Sequence, residues 1–346
     1  MKRRLVGLDI FRILSAFVVF LFHTQMHMSA DFGILNGFIQ MGAIFMTGFF
    51  MLSGYALYYV YEGINLNEIK NMKNFYLRRL VTIMPMYWLV AFVYNMFVMG
   101  IEYFKESVLL IPAEALGIQM VFYSLFSFGH NGGTWFVSCM LLSYLIFPFL
   151  NNVVNQLAMR YRVTIICICI LILDYAPWVV KYYGVGNIYS NPFFRGLEFF
   201  IGICLASVYM EIKEKPKLQW LFTVKSVVGE IVVLVGLVSM SVSVGWNVND
   251  YMMYSLIALP CFGAMLLSLS GLDCAKIEKN KIVRYLSDLA YAFFLAQFFT
   301  WKLAKIIINM WGILNNILVI IITFIVCMII AILLNAVFRR VSKSRM

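Results

Sequence analysis

Charge is scarce in this 346-residue chain: 12% of its residues are Asp, Glu, Lys or Arg, against roughly 25% in an ordinary soluble domain. Only 16 residues are acidic and three are histidine. Hydrophobic residues make up 63% and the mean hydropathy is +0.88. A soluble domain of this length has no interior large enough to hide so much apolar surface, so a soluble enzyme is excluded and a polytopic α-helical membrane protein is expected. The seven cysteines, at positions 139, 167, 169, 204, 261, 274 and 327, fall in apolar segments or in one basic loop. Cys167 and Cys169 form no zinc site by themselves, so neither a disulfide framework nor a metal is expected. Lys2, Arg3 and Arg4 open the chain like a signal peptide, but no small-residue cleavage site follows, which predicts a retained first helix. The net charge of +11 would suggest nucleic acid only if the basic residues clustered on one face. They are distributed among short loops instead, so no nucleic-acid partner is expected.

What the chain has in abundance is apolar runs. About ten reach the length that a bilayer requires, near residues 8–27, 38–61, 80–100, 135–150, 163–180, 193–211, 226–244, 251–270, 288–308 and 314–338. A further stretch, 107–127, is interrupted by Pro112, Glu114 and Gly117 and reads as an interfacial or re-entrant piece. The fold class expected is all-α, a single transmembrane domain over 1–346 with no appended soluble domain. With the N-terminus inside, the cytoplasmic segments carry about 21 of the 27 Lys and Arg residues, while the outer loops hold only Lys105 and Lys181. That asymmetry satisfies the positive-inside rule and predicts both termini in the cytoplasm.

The first apolar segment, LDIFRILSAFVVFLFH, contains two ionisable groups that hydrocarbon disfavours, Arg12 and His23. Eleven residues of α-helix return to within about 20° of the starting face and rise about 16 Å. Both side chains therefore lie on one stripe, which His27 extends outward and Asp9, three residues before Arg12, begins. Arg12 snorkelling to headgroups is the bland reading, and a histidine bonded to a neighbouring helix is another. Ionisable groups aligned inside a membrane point instead to a pathway or a reaction site.

That segment resembles the opening helix of the acyltransferase-3 family, integral membrane enzymes that move acyl groups onto surface glycans and related acceptors. The family's leading signature, an arginine, ten residues and a histidine, is matched by Arg12 and His23. MGAIFMTGFFMLSGYAL resembles its second motif through Phe49, Phe50, Ser53, Gly54 and Tyr55. NFYLRRLVTIMPMYWL is similar to the third, with Arg78, Arg79, Pro85 and Tyr87. TWFVSCMLLSYLIFPFL and NPFFRGLEFFIGICLA resemble later ones through Trp135, Tyr144, Pro148, Arg195, Phe199 and Gly202. Two departures stand out. Met140 occupies a position where many relatives carry a glutamate, and Gln297 one where relatives commonly place a histidine. The Trp-Phe-Val form of the fourth span looks like the branch typified by the enterobacterial common-antigen O-acetyltransferase and the intercellular-adhesin proteins.

The resemblance implies a bacterial inner-membrane enzyme transferring an acyl group, acetyl in the first instance, from cytosolic acyl-CoA to a hydroxyl of an extracytoplasmic or lipid-linked glycan. Acyl-CoA is then a co-substrate, with no permanently bound cofactor. His23 is expected as general base or acyl relay and Arg12 as its catalytic companion. Arg12, Arg78 and Arg79 suit the donor's phosphates, since guanidinium forks fit phosphate oxygens. Trp135, Tyr144, Arg195 and Glu198 are candidates for the acceptor, although Arg195 and Glu198, one turn apart, also suit a self-satisfied ion pair. Asp9, Ser53 and Gly54 are expected to support the site. Gln297 cannot act as a base near neutral pH, which puts proton transfer on His23. An exporter of glycans or lipid-linked sugars, or a non-catalytic component of a polysaccharide synthesis complex, remains the alternative. A homo-oligomer is left open.

Overall fold

The computed structural model describes residues 4–97, 111–121, 134–184, 188–247, 251 and 253–343. All regular structure among them is helical, and ten helices are long and apolar enough to cross a membrane. They are numbered here α1 (Val6–Met28), α2 (Phe45–Tyr61), α3 (Ile69–Phe97), α4 (Thr134–Gln156), α5 (Met159–Tyr183), α6 (Pro192–Ile212), α7 (Val224–Ser243), α8 (Leu259–Gly271), α9 (Lys281–Met310) and α10 (Asn316–Lys343). A π-helical turn, Tyr254–Ala258, leads directly into α8.

The observed helices match the ten expected runs, with several extended past the apolar stretch. α3 begins at Ile69, eleven residues before the expected span. IKNMKNFYLRR contains no Gly or Pro to stop a helix, so the backbone stays helical after the apolar run ends. Arg78 and Arg79 consequently lie within a helix and not in a loop. The 107–127 stretch is only partly described. Residues 111–116 are helical and Gln119–Val121 form a 3₁₀ turn, far too short to cross a bilayer. The remainder lies outside the described residues.

That short piece connects the ends of two antiparallel helices. Trp88 Nε1 of α3 donates to Ala115 O (2.9 Å), and Gln119 Nε2 donates to Thr134 O at the start of α4 (3.3 Å). Nearer the other end Tyr76 OH donates to Leu145 O (2.8 Å). The chain between α3 and α4 therefore leaves and returns at the same end of the bundle. Tyr58 to Asn155, Arg162 to Glu211 and Tyr209 to Ser270 tie the opposite end together. Arg4, Lys70, Lys73, Arg160, Arg162, Lys213, Lys215 and Arg284 all belong to that second end, called the basic end below.

Helices α2 and α6 are the most intimate pair, and glycines make the contact. A Cβ on Gly54 would stand 2.0 Å from the Phe199 carbonyl oxygen, and one on Gly202 would stand 2.0 Å from that of Met51. Small residues permit this approach, which supplies the close packing that lipid tails cannot replace. Helices α5, α7 and α10 sit at the periphery with most of their surface outward.

Candidate active site

A cavity of about 330 Å³ lies between α1, α2, α3, α4 and α9. Its polar wall comprises Arg12, Ser53, Arg79, Thr82, Tyr144, Ser287 and Asp288, and its far end is closed by Met46, Phe49, Phe136 and Phe294. The two arginines reach it from different helices and are held differently.

Arg12 is anchored at one corner. Its Nη1 donates to Ser287 Oγ (2.9 Å) and to Asp9 Oδ1 (3.5 Å). Ser287 in turn donates to Asp9 (2.6 Å), and Arg4 pairs with Asp9 and with Asp288. Asp9, 5% exposed, is thus the hub that balances two guanidinium groups. One face of the Arg12 fork remains turned to the cavity. Arg79 has no such anchor among the described residues, where its buried Nε finds no partner. Arg78, 100° around the helix, is exposed and lines no part of the cavity. Of the three arginines expected near a donor, the structure brings Arg12 and Arg79 together and leaves Arg78 outside.

His23 lies further along α1 and does not line the cavity. Its Nδ1 stands 2.6 Å from Gln297 Oε1. Because a carboxamide oxygen only accepts, Nδ1 carries the proton in this arrangement, and Nε2 is left as the basic lone pair. No other hydrogen bond involves the ring among the described residues. The imidazole is packed by Phe22, Phe298, Trp301 and His27, and His27 stacks on Trp301 (5.3 Å between centroids). Phe294, which closes the cavity, sits three residues before Gln297 on the same face of α9. One helical turn of aromatic rings therefore separates the cavity from the histidine.

The candidates for the acceptor divide. Tyr144 lines the cavity beside Ser53. Arg195, Glu198 and Trp135 do not. Arg195 and Glu198 are both 0% exposed and bonded to each other (2.8 Å). Arg195 also donates to Thr47 Oγ1 (3.0 Å) and Tyr189 O (2.7 Å), and Glu198 accepts from Thr47 (2.9 Å) and Tyr251 OH (3.0 Å). Rings of Phe50, Trp135, Tyr189, Tyr251 and Tyr254 surround the guanidinium at 4.7–5.8 Å. This is a closed cage with no face open to an acceptor: the two charges pair with each other, and Arg195 Nη2 has no hydrogen-bond partner among the described residues. Gly54 serves the α2–α6 crossing, and Asp9 the Arg12 corner. The GHNGG stretch before α4 lies outside the described residues.

Sequence reasoning passed over Arg4, Ser287, Asp288, Phe294 and Trp301. A signal was present, because Ser287, Tyr291, Phe294, Gln297 and Trp301 recur at three- and four-residue intervals and so share one face of α9. Which helix that face meets is not periodic information. Among the described residues no group of three or more His, Cys, Asp and Glu side chains is arranged to hold a metal ion.

Residues 5–336 match the family model described as an acyltransferase domain. No curated protein and no solved structure matches the chain. A match that runs from the first turn of α1 almost to the end of α10, on a bundle of ten membrane-length helices, leaves one assignment: this chain belongs to the acyltransferase-3 family of membrane acyltransferases.

Proposed function

We propose that the protein transfers an acyl group, acetyl in the first instance, from acyl-CoA to a hydroxyl of a glycan or lipid-linked sugar, with His23 as the general base. The observation that carries this reading is the pairing of two guanidinium groups with one cavity that ends a single turn short of an oriented imidazole. Positive-inside charge puts the basic end, and with it both termini, in the cytoplasm. Acyl-CoA made there would present its phosphates to Arg12 and Arg79. The rise from Arg12 to His23, about 16 Å, is of the order of an extended pantetheine arm, so the thioester can reach His23 while the nucleotide stays near the entrance. The arm must part the rings of Phe49, Phe136 and Phe294 to arrive. His23 Nε2 then takes the acceptor hydroxyl's proton as that oxygen attacks the thioester carbon. An acyl-histidine relay uses the same atoms in two steps. The bacterial inner membrane, and the common-antigen and adhesin branch, are the setting that the sequence motifs favour.

The test is acyl modification of the surface glycan in a deletion strain complemented with wild type, His23→Ala or Arg12→Ala, with membrane levels of each variant checked. Acylation restored by wild type and by neither variant supports the mechanism. Full restoration by His23→Ala removes it. Loss of glycan export with acylation intact would move the protein to the exporter class.

A further inference from the structure

Thirteen buried side-chain polar atoms have no hydrogen-bond partner among the described residues, and four of them are N–H donors. Arg79 Nε faces the cavity, and Arg195 Nη2 lies within its aromatic cage. The other two, Gln297 Nε2 and Trp301 Nε1, belong to residues that meet the same imidazole, Gln297 through its oxygen at 2.6 Å and Trp301 through its ring at 6.0 Å between centroids. Gln297 is 0% exposed and Trp301 7%. They stand four residues apart on α9, so both residues share one face of that helix, the face that meets His23. Buried donors in native proteins are almost always paired, and an exception calls for a reason. Two exceptions in residues that contact the oriented imidazole of His23 are concentrated where an acyl-transfer site would need them.

We propose that Gln297 and Trp301 form an oxyanion hole for the transferred acyl group. The inference rests on the acyl-transfer reading above and adds the groups that stabilise its transition state. As the acceptor oxygen bonds to the thioester carbon and its proton passes to His23 Nε2, the carbonyl π pair moves onto the carbonyl oxygen. Gln297 Nε2–H and Trp301 Nε1–H donate to that oxyanion. On collapse the carbonyl re-forms, the C–S bond breaks, and the departing thiolate takes the proton from His23, leaving ester and CoA thiol. Gln297 thus has two functions: its oxygen fixes the His23 tautomer and its nitrogen binds the reacting carbonyl oxygen. The latter needs no base, so a glutamine suits the position. Donors fixed in advance and shielded from water are worth most to such a step, because no solvent must reorganise as charge develops.

The experiment compares kcat and acetyl-CoA KM in proteoliposomes for wild type, His23→Ala, Gln297→Glu and Trp301→Phe. A further variant replaces the Trp301 indole with its benzothiophene isostere, in which sulfur takes the place of N–H. Gln297→Glu is assayed from about pH 7 to about pH 10, because burial raises a carboxyl's pKa; once ionised it keeps an acceptor toward His23 Nδ1 and has lost the donor. The isostere keeps the shape and the His27 stack. Each of the three changes should lower kcat about 10²-fold, the scale of a lost oxyanion donor, with KM within about twofold of wild type. Wild-type kcat in Gln297→Glu or in the isostere overturns the two-donor site, as does a loss carried by KM alone. Wild-type kcat in His23→Ala overturns the underlying mechanism instead, so the two failures are distinguishable.

Discussion

Arg78 and Arg79 are neighbours in sequence and should respond to removal in opposite ways. Arg79 lines the cavity with a buried Nε that has no partner among the described residues, whereas Arg78 is exposed and lines no part of that cavity. On the proposed donor role, Arg79→Ala removes a charge-assisted contact to the donor's phosphate without breaking a side-chain hydrogen bond among the described residues. A hydrogen bond to a charged group contributes about 1.5–3 kcal/mol, which corresponds to about 10- to 150-fold in affinity. The acetyl-CoA KM of Arg79→Ala should rise by that factor while its thermal midpoint in detergent stays near that of wild type. Arg78→Ala should change KM by less than about twofold, because a solvated charge outside the site contributes little. Initial rates against acetyl-CoA in proteoliposomes, with melting curves of the same preparations, provide both readings. Equal KM increases in the two variants would refute the assignment of the cavity to the donor. So would an Arg79→Ala protein with unchanged KM.

Three other outcomes follow from the packing and the orientation. Arg195→Met should destabilise the fold by about 3–5 kcal/mol, because it strands the buried Glu198 carboxylate, and Arg195→Met with Glu198→Leu should recover much of the loss; a single variant that melts with wild type would contradict the cage. Gly54→Leu places side-chain carbons where the Phe199 carbonyl already stands, 2.0 Å from an ideal Cβ, and should prevent α2 and α6 from closing, read as loss of monodisperse protein in detergent. Gly196, with nothing within 4 Å of an ideal Cβ, is the control site and should tolerate alanine. Cysteines introduced at Lys215 and Asp31 should be labelled by an impermeant maleimide from the cytoplasmic and the outer side respectively; the reverse pattern would invert the topology.

The chain by itself determined the class, the number of spans and the stripe on α1. Those follow from hydropathy and from 3.6-residue periodicity, which are local properties, and the Arg12–His23 spacing needs only one helix to be read. It also flagged Arg195 with Glu198, since a pair three residues apart is visible on one helix. What it could not decide is which faces meet. In a bilayer the lipid is as apolar as the protein interior, so an apolar face does not announce whether it packs against a helix or against a tail. Tertiary packing alone brings Gln297 to His23 across 274 residues of sequence and Ser287 to Asp9 across 278. It turns Arg79 inward and Arg78 outward, because adjacent residues on a helix diverge by about 100° and only the position of neighbouring helices makes one of those directions a cavity. It also encloses Trp135 with Arg195, where the sequence had offered the residue to an acceptor. The proposed base, His23, was legible in the sequence because it is a rare residue in an apolar run; its oxygen partner Gln297 and the neighbouring Trp301 were not, because a glutamine and a tryptophan acquire that meaning only from what they face.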